Sequence, residues 1–135
     1  MNRPLKFKVW NTKSNEWCGT IGLNETIPHN SISYLPDDLV FVQYTGLKDS
    51  KGKEIYEGDI LNVWNGLFVN KIGQVVYEVD HGGYIFQYNT HMSSIYHINL
   101  NGYVVRESVK IGNIFEHSKL LKAKYDGDLM EYIIE

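Results

Sequence analysis

The sequence predicts a mainly β protein, a β-rich α+β chain with one short helix near its C-terminal end, and three observations carry that expectation. Aromatic residues are abundant, with ten Tyr, five Phe and three Trp among 135 residues, and such side chains fit a pleated, half-buried surface. Short runs alternate apolar and polar residues at the period of two that a half-buried strand requires. Turn residues separate those runs at close intervals, and two of the clearest turns fall between Gln43 and Leu61.

Taken in order, Leu5-Lys-Phe-Lys-Val-Trp10 places Leu5, Phe7 and Val9 on one strand face. Asn11–Asn15 then turns the chain, so that Glu16–Ile21 returns antiparallel and residues 5–21 form a hairpin. Residues 22–38 hold Pro28, Pro36 and several Asn and Ser with little periodicity, and are expected to be connector with one short strand near Ile32–Leu35. Leu39–Thr45 is nearly continuously apolar and β-branched, which suits a central strand covered on both faces. In the turn that follows, Asp49 can accept from the backbone two residues on and Gly52 can take a positive φ. At Glu57-Gly-Asp59 the glycine lets the backbone swing and Asp59 can tie down the start of a strand over Ile60–Trp64.

Asn65-Gly66 is a hairpin-type dipeptide. Lys71–Asp80 alternates so that Val75, Tyr77 and Val79 share a face. His81-Gly-Gly83 turns, and Tyr84–Tyr88 pairs back with three aromatic rings on one side, completing a meander. Ser94–Ile98 is a further short strand or helical turn. Val104–Glu116 is expected to close the sheet with a bulge at Gly112. Ser118 can cap the short helix through Leu120–Lys124, and the tail after it carries unpartnered apolar residues.

The chain is of a size for one domain. A net charge of −3 and a pI near 5.9 argue against a broad nucleic-acid footprint, which needs several cations against phosphates. Cys18 is the only cysteine, so an intramolecular disulfide and a multi-cysteine metal site are excluded and a reducing compartment is permitted. Met1-Asn-Arg-Pro-Leu-Lys lacks the pattern of a signal peptide, and no apolar run reaches the ~20 residues of a membrane span, so a cytoplasmic location without membrane contact is expected.

Chemistry-bearing clusters are few. Asp49, Glu54, Glu57 and Asp59 could gather around a divalent cation, yet their positions beside glycine turns are explained by turn geometry, and they lack the alternating spacing of a calcium loop. Lys48, Lys51 and Lys53 share a loop with those acids and read as a solvated turn. His29, His81, His91, His97 and His117 form no metal-binding pair in sequence, and Cys18 has no neighbour that would make a catalytic dyad. No cofactor, metal or catalytic residue is expected, and an enzyme is disfavoured. One candidate surface is aromatic: Trp64, Tyr77, Tyr84, Phe86 and Tyr88 could stack on bases or peptides, although alternation favours core packing for such rings. The other is the tail, where Leu129, Met130, Tyr132, Ile133 and Ile134 are candidate oligomer contacts.

Three blocks in fixed order carry a family likeness: Lys6–Trp10; Gln43–Asp49 with Gly52–Ile60; and Ile111–Glu116 with Leu120-Leu121. Together they resemble the YopX family of small proteins encoded by phages and prophages, for which no biochemical activity is established. The resemblance implies a single domain over 1–135. Its parts would be an N-terminal β-hairpin lobe (1–48), a half resembling a small SH3-like barrel (49–121) and a tail (122–135). It implies a phage or prophage origin and expression in the cytoplasm of a bacterial host. The function expected is that of a non-enzymatic accessory protein that forms homo-oligomers and binds a phage or host protein. The alternative is a nucleic-acid-binding SH3-like module, which the acidic pI disfavours.

Overall fold

A computed structural model describes residues 5–22, 36–64, 70–89 and 95–122, and shows a mainly β chain of two antiparallel sheets with one short α-helix. The first sheet has strand order β2-β1-β3-β4, from β1 (Lys6–Asn11), β2 (Glu16–Gly22), β3 (Leu39–Lys48) and β4 (Glu54–Tyr56). The second runs β8-β7-β6-β5-β9, from β5 (Asp59–Val63), β6 (Lys71–Glu78), β7 (Gly83–Asn89), β8 (Ile95–Asn99) and β9 (Ser108–Asn113). The expected hairpin at 5–21 and the meander through β5, β6 and β7 are present, and β8 extends the meander by one strand. The pairings within the second sheet leave β8 and β9 at its two edges, so among the described strands it is an open sheet.

The predicted turns form by the expected chemistry. Asp49 Oδ1 accepts from the backbone N–H groups of Lys51 and Lys53, each at 2.9 Å, and its Oδ2 reaches the N–H of Lys110 at 2.8 Å, so one carboxylate fastens the β3–β4 turn to β9. Asp59 Oδ2 accepts from the Tyr56 N–H at 2.7 Å across the tight corner between β4 and β5. Gly58 turns that corner at φ 89°, a left-handed conformation that a side chain rarely adopts. The bulge expected at Gly112 is a register shift: Ile60 pairs with Gly112 and Leu61 with Lys110, leaving Ile111 as the extra residue.

Four expectations are corrected. Residues 104–106, read as the start of a strand, belong to α1 (Gly102–Arg106), because Asn101 caps it by accepting from the N–H groups of Tyr103 and Val104, and Val104 and Val105 then face the core. The helix expected from Ser118 is a single 3-10 turn over Ser118–Lys122 within the described residues. Strand β3 is central in its sheet, but Phe41 remains 44% exposed, so it is not covered on both faces. Leu5, just before β1, is 41% exposed, while Trp10, on the opposite face from Val9, is buried as well, because Phe115 stacks on it from the C-terminal part of the chain.

The largest core cluster lies on one face of the second sheet, where Leu61, Val63, Val75 and Phe86 meet Val104 and Val105 of α1 and Ile55 of β4. The opposite face is covered at one end by Leu120 over Ile60 and Ile72. A third cluster belongs to the first sheet: Val42, Tyr44 and Tyr56, flanked by Trp17, Val40 and Phe115. Among the described residues no helix is long and apolar enough to cross a membrane. The connector strand expected near Ile32–Leu35, the Asn65-Gly66 turn and the tail residues Leu129, Met130, Tyr132, Ile133 and Ile134 lie outside the described residues.

Candidate functional site

The chain leaves the first sheet and enters the second through Glu57-Gly58, and the two strands it links diverge there. Glu57 donates its backbone N–H to the Gln43 carbonyl at 2.9 Å on one side, and Gly58 donates to the Val75 carbonyl at 2.8 Å on the other. This two-residue bridge has a cleft on each flank. One, of about 420 Å³, is lined by Gln43, Glu57, Tyr77, Gly82, Gly83 and Tyr84. The other, of about 310 Å³, lies between Val40-Phe41-Val42 of β3 and Gln74-Val75-Val76 of β6, with Gly58, Ile114 and Phe115 completing its walls. Glu57 lines both.

The first cleft is rich in acceptors. Tyr84 donates its hydroxyl to Gln43 Oε1 at 3.1 Å, a bond that spans the two sheets, and the Tyr77 and Tyr84 rings meet edge to face with centroids 5.3 Å apart. Among the described residues, half-buried Glu57 makes no side-chain hydrogen bond or ion pair, and no lysine or arginine lines either cleft. The cleft is thus lined by a glutamate, a glutamine and a tyrosine, Tyr77, that is 46% exposed.

The aromatic candidates divide between this cleft and the interior. Tyr77 and Tyr84 come together in it. Phe86 is fully buried in the main core, and half-buried Tyr88 stacks between Phe86 and Tyr96. Trp64 is 40% exposed at the end of β5, apart from the cleft lining. Sequence reasoning missed Gln43 as a site residue; the one local signal was a polar residue in the apolar run 39–45.

The four acids do not converge. Asp49 serves the turn described above: burial alone would raise its pKa, but three backbone N–H donors outweigh that and hold it below the usual carboxylate value. Glu54 pairs with Lys6 at 2.6 Å, and that bond lowers its pKa. Asp59 pairs with Lys110 at 3.0 Å; burial is the stronger influence and raises its pKa. Among the described residues no three of His, Cys, Asp and Glu form a group that could hold a metal ion.

Lysines instead roof the aromatic cluster of the first sheet. Lys8 Nζ lies 4.2 Å from the Trp17 ring and 5.3 Å from that of Tyr56, Lys6 covers Tyr44 at 5.1 Å, and Lys110 reaches Tyr56 at 5.8 Å. Burial, with the nearby charge of Lys110, lowers the Lys8 pKa, and burial raises that of Tyr56. With Glu54, Asp59 and Glu116 nearby, the charges of this roof are matched within the protein. His81, next in the chain to the Gly82-Gly83 wall of the first cleft, brings its ring to 4.8 Å from that of His97, and His117 packs against Gly112.

The fold and the cleft define a small two-sheet β protein with a narrow acceptor-lined groove at the corner between its sheets. The chain belongs to the YopX family, whose model, described as "YopX protein", matches residues 6–122. Among solved structures it is similar to the crystal structure of protein EF1440 from Enterococcus faecalis, with a TM-score of 0.58 and 20% identity over 87% of this chain and 97% of that one. At that identity the likeness concerns the fold alone. No curated protein matches the chain.

Proposed function

We propose that this protein is a non-enzymatic accessory protein of phage or prophage origin that acts in the host cytoplasm by binding another protein in the cleft at the Glu57-Gly58 bridge, and that it assembles with copies of itself. The observation that carries the binding part is the unpaired, half-buried Glu57 carboxylate held between two clefts whose walls expose Phe41 and Tyr77. A carboxylate with no side-chain partner among the described residues, set beside exposed aromatic rings, is a group that a charge-complementary protein can pair with. The assembly part rests on the apolar residues of the sequence at 129–134.

A photo-crosslinking residue in place of Tyr77, expressed in cells that carry the prophage, tests the binding. Discrete protein adducts that excess wild-type protein competes away are expected. Adducts to nucleic acid, or none above those of a crosslinker placed at exposed Lys13, would overturn it. Light scattering behind size-exclusion chromatography tests assembly: a mass that is a multiple of 15.6 kDa and falls when residues 125–135 are removed is expected, and a 15.6 kDa monomer refutes it.

A further inference from the structure

Both strands that wall the apolar cleft are unpaired along one side. β3 pairs with β1 from Leu39 to Gln43, whereas β4 joins its other edge only at Tyr44 and Lys48. β6 pairs with β7 as far as Glu78, whereas its partner on the other side, β5, stops at the pairing of Ile60 with Gln74, followed by the single bond from Gly58 to Val75. Among the described strands, then, residues 39–42 and 76–78 each keep a free ladder edge on either side of the bridge, beyond the bonds that Gln43 and Val75 make to Glu57 and Gly58. Such edges recruit extended chains, because main-chain hydrogen bonds give affinity whatever the sequence of the added strand.

The charge beside these edges says what that strand must carry. Glu57, Gln43 and Tyr77 line one cleft with acceptor groups, no lysine or arginine among the described residues lines either cleft, and the chain as a whole carries a net charge of −3. A ligand that enters as an anion would bury a second negative charge against Glu57, and a neutral one would leave that carboxylate unpaired. A phosphate-bearing ligand is disfavoured for the same reason. We infer that the first cleft takes an extended segment of a partner protein with a lysine or arginine whose cation pairs with Glu57 and lies over the Tyr77 ring. Arginine suits the geometry better than lysine, since its planar fork can meet a carboxylate and an amide oxygen together while stacking on a tyrosine. Beside Gly82 and Gly83 a bound chain can come close to the backbone, as a Cβ at either would meet nothing within 4 Å.

This inference rests on the protein-binding reading above, and its test separates the two. A displayed random-peptide library is selected on the full-length protein and on its Glu57→Lys variant. Peptides selected on the wild type should be enriched in arginine and lysine. Their binding, measured by fluorescence anisotropy, should weaken roughly tenfold on Glu57→Gln or on Tyr77→Ala and further as salt is raised. The Glu57→Lys variant should select acidic residues instead. Wild-type peptides without basic enrichment, or affinities unchanged by Glu57→Gln at an unchanged melting temperature, would overturn the charge assignment. If discrete protein adducts at position 77 persist in that case, protein binding stands and only the cationic ligand fails; if they vanish too, both fall.

Discussion

Among single residues, Lys110 holds the most consequential place. Its ammonium lies 3.0 Å from the Asp59 carboxylate and also donates to the Glu54 carbonyl at 2.9 Å. The Asp59 side chain is only 4% exposed, so its charge depends on that partner and on the Tyr56 N–H. Lys110→Met keeps the stem that packs near Tyr56 and removes the cation, and should cost about 3 kcal/mol at neutral pH by leaving a buried charge uncompensated. The sign with pH follows from the raised pKa of Asp59. Above the unfolded value the native state holds more protons than the unfolded one, so stability from this group falls as pH rises through the raised folded value. Losing Lys110 lifts that value further, so the penalty of the variant should shrink between pH 7 and pH 4. Urea titrations of both proteins at the two pH values measure it; an equal penalty at both would show that Asp59 is not the group left exposed to the loss.

For the secondary-structure elements, the parts legible in the sequence are those fixed by neighbours in the chain. The Asp49 turn, the Gly58-Asp59 corner, the β1–β2 hairpin and the bulge beside Gly112 each depend on residues a few positions apart, whose types announce their conformations. Strand β4 was not legible because Glu54-Ile55-Tyr56 is three residues long and becomes a strand only when Tyr44 and Lys48 lie alongside. Helix α1 was hidden because Val104-Val105 are β-branched and the period of two fits them as well, while the decisive signal was the cap at Asn101. The cleft was least legible of all: Gln43, Glu57 and Tyr77 meet only through the angle between two sheets, which no local pattern specifies. The alternation of β6 conceals a similar constraint at Gly73. A Cβ there would lie 2.2 Å from the Gln87 carbonyl oxygen and 2.9 Å from the Phe86 ring. Gly73→Ala should therefore force β6 from β7 and destabilise by about 2 kcal/mol or more, read as a lowered urea midpoint. A midpoint at or above that of the wild type would mean that the two strands have room to separate.

Across the whole molecule, the question is whether two sheets joined by a two-residue bridge behave as one cooperative unit. The contacts that bind them run between opposite ends of the chain. Trp10 stacks on Phe115 with ring centroids 5.4 Å apart, Trp17 meets the same ring edge to face at 5.6 Å, and the Trp17 indole N–H donates to Glu116 at 2.9 Å. Phe115 follows directly after the segment pinned to the bridge, where the Ile114 N–H donates to the Gly58 carbonyl at 2.8 Å. The N-terminal hairpin and the turn after β9 are thus clamped over the same corner that holds the cleft, so loss of the clamp should loosen the first sheet against the second. In a Trp64→Phe background, which removes the indole at the end of β5, urea unfolding followed by tryptophan fluorescence should coincide with that followed by far-ultraviolet circular dichroism, because Trp10 and Trp17 then report on the first sheet and the backbone signal on both. Phe115→Ala removes the ring that both indoles contact and should cost about 3 kcal/mol. In the same background its two transitions should also separate, fluorescence changing at lower urea than ellipticity, since the main core around Phe86, Leu61 and Val75 does not include Phe115. Coincident transitions in that variant would show that Ile55 and the Tyr84–Gln43 bond couple the sheets well enough without the clamp, and would move the hinge of the fold from the aromatic cluster to the bridge itself.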